Sequence, residues 1–270
     1  MTSTTLRLSK SGRPVALRDH GAGNPVVLIH GVGMQSASWG PQIDALAKDH
    51  RVIAVDMPGH GGSDPLPMGS ALADYVTWCA EVIQSLGLGP VAIAGHSMGA
   101  LIAVGFAIEH PEHVTRVALL NGVFKRDAAA RDAVIARAES LRGGAIDLQT
   151  PLDRWFGDSE TDQAARAQVK GWLSAVDLDG YATAYTAFAH GDATYADRIS
   201  QIECPFLALT GDGDPNSTPA MSQGMADLAQ NGRAVVINGH RHMVNLTAAD
   251  EVSTHLLEWL RAPVSQKELQ

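Results

Sequence analysis

The sequence predicts a doubly wound α/β protein, with a mostly parallel sheet of eight strands and one helical insertion. Three observations support this fold class. Short apolar runs alternate with amphipathic helical segments along most of the 270 residues. The runs are apolar at nearly every position, which is typical of parallel strands buried on both faces. The alternation stops between about residues 124 and 197, where helical patterns continue without a strand.

The predicted elements follow in a regular order. Leu6–Leu8 and Val15–Leu17 form an entry hairpin. Six buried strands come next, at residues 26–29, 52–55, 91–94, 117–120, 206–209 and 235–237. Apolar residues recur every three or four positions from Leu72 to Leu86, and Gly87 ends this helix. A last amphipathic helix runs from Val252 to Leu260.

The segment 124–197 is too long for a simple connection, so we expect a helical cap inserted in a core formed by residues 1–123 and 198–270. The cap holds eight of the fourteen aromatic residues: Phe124, Trp155, Phe156, Trp172, Tyr181, Tyr185, Phe188 and Tyr195. These rings either line a pocket or fill the cap's own core. We expect Trp155, Trp172 and Tyr185 to line the pocket.

Charge narrows the class of partner. The net charge of −9 and the pI of about 5.6 disfavour nucleic acids and anionic membranes as partners. Residues 125–197 carry eight basic and twelve acidic side chains. We therefore expect a pocket that prefers small neutral or weakly polar acyl groups over dianions.

From the other sequence features we expect a cytoplasmic enzyme that acts on a small molecule. These features are also compatible with a homo-oligomer. Neither a signal peptide nor an apolar run of bilayer length is recognisable. Cys79 and Cys204 are isolated, which predicts buried thiols and no disulfide. No cluster has metal-ligand spacing, and the glycines at 31 and 33 lack the third glycine of a dinucleotide site. We expect no metal and no cofactor.

The candidate nucleophile is Ser97, in the pentapeptide Gly95-His96-Ser97-Met98-Gly99. This pentapeptide follows the strand Val91–Ala94 and opens an apolar helical run. A serine on such a sharp strand–turn–helix bend exposes its hydroxyl, and glycines on either side allow close packing around it. The pattern predicts nucleophilic acyl chemistry, with the helix N-terminus facing the developing negative charge.

A serine nucleophile needs a base and an orienting carboxylate, which in this topology follow it in the order acid, then histidine. The loop after the strand at 206–209 offers Asp212 and Asp214. Asp214 is preferred because it lies further beyond the strand, whereas Asp212 is interpreted as a turn residue. The loop after the strand at 235–237 offers His240 and His242, and spacing alone leaves both open.

Two backbone N–H groups should stabilise the oxyanion. One belongs to Met98, and the other to the loop His30-Gly31-Val32-Gly33, where Val32 is preferred over Gly33. We expect Gly31, Gly33 and the downstream Trp39 to border the pocket. His30 is interpreted as a structural residue of this loop. Asp56 precedes the serine, the wrong order for the acid, so it too is interpreted as structural.

Together these segments resemble the α/β-hydrolase superfamily over about residues 15–260. The matching segments are His30-Gly31-Val32-Gly33 with Trp39, Asp56-x-Pro58-Gly59-His60-Gly61-x-Ser63, Gly95-His96-Ser97-Met98-Gly99, Gly211-x-x-Asp214 and Gly239-x-x-His242-Met243. The resemblance implies that Ser97, Asp214 and His242 form the catalytic triad, so it selects His242 over His240. Within the superfamily the chain is similar to the 3-oxoadipate enol-lactonases and the aminoacrylate/carbamate hydrolases.

The resemblance implies a serine hydrolase that cleaves a small ester, lactone, thioester or amide through an acyl-enzyme. Three alternatives use the same scaffold, because a fold does not fix a reaction. They are a carbon–carbon bond hydrolase of a catabolic pathway, a cofactor-free perhydrolase or lyase, and a non-catalytic ligand-binding protein.

Overall fold

The computed structural model describes residues 2–141 and 147–263, which form one eight-stranded sheet with helices on both faces. The strands are β1 (Thr4–Arg7), β2 (Pro14–His20), β3 (Pro25–Ile29), β4 (Arg51–Val55), β5 (Val91–His96), β6 (Val114–Leu120), β7 (Phe206–Gly211) and β8 (Gly232–Ile237). The helices are α1 (Gly40–Leu46), α2 (Leu72–Ser85), α3 (Met98–Glu109), α4 (Ala128–Leu141), α5 (Gln149–Trp155), α6 (Glu160–Ser174), α7 (Leu178–Gly191), α8 (Pro219–Leu228), α9 (Val244–Thr247) and α10 (Ala249–Arg261). The predicted fold class is confirmed.

The strand order creates a crevice at the centre of the sheet. The order is β1-β2-β4-β3-β5-β6-β7-β8, with only β1 and β2 antiparallel to their neighbours. The chain leaves β3 toward one edge and, after β4, returns to β5 on the other side. Loops after β3 and β5 therefore diverge, which is where open α/β sheets bind ligands.

Two apolar clusters cover the two faces of the sheet. One face packs on α2 and α3, with Val76, Ile102 and Phe106 among its buried residues. The other packs on α1 and α10, through residues such as Ile43 and Leu256. Every side chain of α3 except the terminal Glu109 is buried, because this helix lies between the sheet and α2. The strands β3, β4, β5, β6 and β7 are mostly buried, as their apolar runs predicted. The prediction of a buried strand at 235–237 is wrong, because β8 is the edge strand and only its Ile237 is buried.

Helices α4–α7 lie between β6 and β7 in sequence, within the range predicted for the cap. Asp192 joins the two ends of this insertion. Its Oδ2 atom accepts a 2.7 Å hydrogen bond from the backbone N–H of Arg126. The start of the insertion is therefore fastened to its end, beside the edge of the sheet.

Two further observations concern the described residues as a whole. Cys79 and Cys204 are buried thiols, as predicted. None of the helices in residues 2–141 and 147–263 combines the length and the apolar character that a membrane span requires.

Close backbone contacts fix the turn between β5 and α3. A Cβ atom at Gly99 would overlap the carbonyl oxygens of Ile29 and His30, and one at Gly95 would overlap the backbone of Gly99. These neighbours are backbone atoms, which cannot rotate away. The two glycines let α3 start directly against β3.

Gly99→Ala should therefore lower the free energy of unfolding by about 3 kcal/mol, because the added methyl group forces the backbone apart. Gly171→Ala is the matched control, since Gly171 lies in α6 with open space around the new Cβ. That change should be neutral or raise stability by up to about 1 kcal/mol. Urea unfolding measures both, and equal effects of the two substitutions would contradict the close-packing argument.

Candidate active site

Ser97 sits on a strained turn between β5 and α3. Its backbone angles are φ 53° and ψ −114°, outside the regions that non-glycine residues favour. Such a conformation costs on the order of 1–3 kcal/mol and persists only when the surroundings enforce it. The Ser97 N–H donates to the Leu120 carbonyl at 2.9 Å, which holds the turn to the end of β6. The side chain borders a cavity at the carboxyl ends of the strands.

The loops after β7 and β8 bring Asp214 and His242 together. The two atoms His242 Nδ1 and Asp214 Oδ2 are 2.7 Å apart, and both side chains are almost fully buried. A carboxylate only accepts, so Nδ1 carries the hydrogen. In the neutral ring Nε2 is then an acceptor, as a base requires. His242 lines the same cavity as Ser97.

Asp214 is supported by two donors besides His242. Its Oδ2 accepts from the Asn121 side-chain amide at 2.8 Å, and its Oδ1 accepts from the Asn216 N–H at 2.8 Å. Burial alone would raise the pKa of the Asp214 carboxyl. The charge of His242 and the hydrogen bonds from its neighbours outweigh burial and lower that pKa. The acid is therefore held as a carboxylate.

The second candidates for acid and base have other partners. Asp212 Oδ1 accepts from the Gly239 N–H at 2.8 Å, so it joins the loops after β7 and β8. His240 Nδ1 lies 2.9 Å from Thr247 Oγ1. Neither residue lines the cavity. His242 thus borders the cavity and His240 does not, and the carboxylate within hydrogen-bond distance of His242 is that of Asp214.

His96, which the sequence analysis left without a role, supports His242. Its Nε2 lies 2.8 Å from the His242 carbonyl oxygen, so Nε2–H is the donor. Burial, followed by the nearby His242, lowers the pKa of His96 to about 3. The ring is therefore a neutral tether between β5 and the loop that carries His242.

The predicted oxyanion donors differ in their availability. Gly33 donates its N–H to His60 Nε2 at 2.9 Å, which removes it as the alternative donor. Gly31 and Val32 border the cavity. Met98 is the first residue of α3, where N–H groups have no intrahelical acceptor. Val32 and Met98 remain the residues from which we expect oxyanion donors.

Buried polar residues fix the loop after β3. His30 Nε2 accepts from the Met57 N–H at 2.9 Å, which joins this loop to the one after β4. Asp56 accepts from the Ser36 and Gly62 N–H groups. Burial lowers the pKa of His30 to about 4, and burial together with the nearby His30 lowers that of His60 to about 3. These contacts are those of the structural residues that the sequence analysis expected at positions 30 and 56.

The cavity has a volume of about 290 Å³, and the cap supplies much of its wall. Trp155 and Tyr185, which we expect at the substrate pocket, border this cavity together with Tyr181 and Phe188. Three pocket predictions are wrong. Trp39 is fully buried in the cluster on the other face of the sheet. Trp172 packs against the core outside the cavity. Gly33 does not border the cavity, and its Cα lies close to the Leu173 side chain.

The charge of the cavity also differs from the sequence-based expectation. Arg126, Arg137 and Arg154 all line it, and Asp127 is the acidic residue among the described residues of the wall. The acidic excess of the cap therefore lies elsewhere on its surface. The summed charge of residues 125–197 could not predict the arginines at the cavity, because it combines side chains that face the cavity with side chains that face outward.

Arg126 is the most buried of these arginines. Its side chain is 4% exposed, pairs with Asp192 at 3.3 Å and stacks on Phe188, with Cζ 4.4 Å from the ring centroid. Its Nη2 has no hydrogen-bond partner among the described residues. Burial lowers the pKa of Arg126, but a guanidinium keeps its charge in proteins. The cavity therefore contains a buried cation with an unused donor.

Comparison with known protein families places the chain in a class of hydrolases. The sequence matches the family described as alpha/beta hydrolase fold over residues 24–249. The chain therefore belongs to the α/β-hydrolase superfamily, and it is a hydrolase.

The matches to relatives within the superfamily cover most of this chain. It is 53% identical over 260 residues to the (E)-2-((N-methylformamido)methylene)succinate hydrolase of Acinetobacter baylyi, covering 96% of this chain and 98% of that protein. It is 24% identical to a RutD protein of Escherichia coli, whose name refers to carbamate hydrolysis, over 99% of this chain and 97% of that one. The solved enol-lactonase of Burkholderia xenovorans superposes with a TM-score of 0.85 at 23% identity, covering 96% of this chain and all of that one, which shows the shared fold.

The buried histidines predict a loss of stability in acid. In the unfolded chain His60 should titrate near 6.5, whereas in the folded protein its pKa is about 3. The unfolded state then binds more protons below pH 6.5, so the free energy of unfolding falls as pH decreases. Between pH 7.5 and 5.0 one such histidine removes about 2 kcal/mol. In His60→Gln, the free energy of unfolding measured with urea should fall less between pH 7.5 and 5.0 than in the wild-type protein, by about that amount. Equal losses in both proteins would refute the prediction.

Proposed function

We propose that the protein is a serine hydrolase that forms an acyl-enzyme on Ser97. The observation that carries this proposal is the convergence on one cavity of the strained Ser97 and of His242, hydrogen-bonded to the buried Asp214. A nucleophile, a base and an orienting carboxylate are the groups that acyl transfer needs. They follow in the chain order that this fold uses.

The proposed reaction has two halves. Ser97 Oγ attacks the substrate carbonyl while His242 Nε2 takes the hydroxyl proton, and Asp214 stabilises the resulting imidazolium. The N–H groups of Val32 and Met98 stabilise the oxyanion. His242 then protonates the leaving group as the acyl bond breaks. In the second half His242 takes a proton from water, which attacks the ester on Ser97 and releases the acid.

The substrate class comes from the relative and from the cavity. The substrate named for the Acinetobacter protein is a dicarboxylic acid whose carbon–carbon double bond bears an N-methylformamido group. We infer that this chain cleaves the same class of N-acylated enamine at the bond between the acyl carbon and nitrogen. With a formyl group the products are formate and the secondary enamine, and one water is consumed.

The arginines support a substrate with two carboxylates. Arginine presents paired N–H donors that match carboxylate oxygens, and such charge-assisted bonds are stronger than neutral ones. Arg126, with its unused Nη2, and Arg137, whose Nε is also without a partner among the described residues, both line the cavity. Arg126 stacks on Phe188 and Arg137 on Tyr185, and such apolar surroundings strengthen an ion pair.

Product analysis separates this function from its main alternative. The purified protein is incubated with an N-formyl enamine dicarboxylate, and formate is measured against substrate loss. Equal amounts indicate cleavage of the amide. A product that retains the formamide would indicate a carbon–carbon bond hydrolase instead.

The proposed roles of Ser97 and His242 predict a sharp contrast with His240. Ser97→Ala and His242→Ala should each lower kcat by a factor of about 10³ or more, because the nucleophile and its base act as a unit. Both should also abolish labelling by a fluorophosphonate, which reacts with an activated serine. His240→Ala, the matched control outside the cavity, should retain most of the activity and the labelling. A folded Ser97→Ala protein with wild-type turnover would rule out the serine mechanism.

The role of Arg126 predicts a change in substrate preference. Arg126→Met should raise KM for the dicarboxylate at least about tenfold, because a charge-assisted hydrogen bond is lost. Arg131→Met is the matched control, since Arg131 also pairs with Asp192 but does not line the cavity. It should leave KM nearly unchanged. The dimethyl ester of the substrate should respond weakly to both substitutions. Equal losses with the diacid and the diester would contradict carboxylate binding by Arg126.

A further inference from the structure

The short helix α5 contacts the catalytic loops at three points, although it belongs to the insertion. Its residue Trp155 stacks on the His242 ring, with centroids 5.5 Å apart and an interplanar angle of 28°. This contact joins the base to a part of the chain remote from the loops that carry Asp214 and His242. A ring in that position limits rotation of the imidazole out of its hydrogen bond with Asp214.

The second point is a connection through Arg241, the residue before His242. Arg241 Nη1 donates to the carbonyl oxygens of Asp153 at 3.0 Å and Phe156 at 2.6 Å. These two residues flank the Arg154–Trp155 pair. Carbonyls at the end of a helix have no intrahelical donor, and a cation there is favourable. Arg241 thus fixes the backbone of Trp155 relative to the backbone of His242.

The third point leads to the acid. Arg154 Nη1 donates to Asn216 Oδ1 at 3.3 Å, and the Asn216 N–H donates to Asp214 Oδ1. The same helix therefore reaches the base through Trp155 and the acid through Arg154. Its own position is set by Leu152 and Phe156, which are buried in the core.

We propose that α5 is a clamp on the catalytic pair, with Trp155 as a positioning residue for His242 and Arg241 as the residue that holds the clamp in place. The proposal rests on the proposed role of His242 as the base. The indole ring keeps the imidazole aligned toward Ser97. Its π-face also favours the imidazolium that forms when Ser97 loses its proton.

The clamp has a signature that a structural or substrate-binding role lacks. A small fluorophosphonate reacts with Ser97 at a rate that depends on His242, and it carries no carboxylate for the arginines. Alignment of the base should therefore govern this labelling rate. Trp155 also borders the cavity, so its effect on KM is not diagnostic. Arg241 does not border it, so its effect should appear in kcat.

The test compares Trp155→Leu with Trp155→Phe, and Arg241→Met with Arg241→Lys. Trp155→Leu and Arg241→Met should slow labelling about tenfold, with a similar loss of kcat and, for Arg241→Met, a KM within about twofold. The Phe and Lys variants should recover much of the rate, since each keeps a ring or a cation. Trp172→Leu, in α6 outside the cavity, is the matched control and should label at the wild-type rate.

Three outcomes would overturn the proposal. The first is wild-type labelling by folded Trp155→Leu and Arg241→Met proteins. The second is a Trp155→Leu protein with wild-type labelling and kcat and a raised KM, which would make Trp155 a substrate contact only. The third is an equal loss in Trp172→Leu, which would indicate a general effect of removing an indole. Failure of the serine mechanism itself is distinguishable, because the wild-type protein would then not label.

Discussion

The hydrogen bond from His242 to Asp214 is the interaction around which the carboxyl edge of the sheet is organised. Its partners follow β7 and β8, and a third supporting residue, Asn121, directly follows β6. Three parallel strands must therefore keep their register for one 2.7 Å contact to form. Burial alone would raise the pKa of Asp214, and these donors outweigh it, so that the pKa is lowered. The site is in this sense a property of the whole sheet edge.

A second buried carboxylate, Asp192, lies in the cap, and the charges around it are balanced differently from those around Asp214. Asp192 is buried and faces both Arg126 and Arg131, so its charge is more than balanced. Around Asp214 the donors are arranged to satisfy a negative charge within the protein. Around Asp192 the surplus is positive, and the buried Nη2 of Arg126 is left without a partner among the described residues.

The sequence predicted the features that depend on local order along the chain. Continuous apolar runs indicated the strands, and the Gly-x-Ser-x-Gly turn indicated the candidate nucleophile because its geometry is encoded within five residues. Orientation was harder to predict. Trp39 follows a loop of the site but points to the opposite face of the sheet, where it packs with Ile43. Trp172 and Tyr185 are equally aromatic, yet only Tyr185 turns toward the cavity. The positions of Arg126 and Arg137 at the cavity likewise depend on which way each side chain faces, which the sequence does not encode locally.

The fastening of the insertion at Asp192 has a consequence for how such a protein can change. Arg126 and Asp192 lie near the two ends of the insertion and contact each other. The two points at which the insertion leaves and rejoins the sheet are therefore held together, as in a short loop. Closing a loop costs entropy that grows only slowly with its length. Helices above the closure can therefore lengthen, shorten or exchange side chains while β6 and β7 keep their pairing. Substrate range and fold stability are in this way placed under largely separate control, and new specificities become accessible through gradual sequence change.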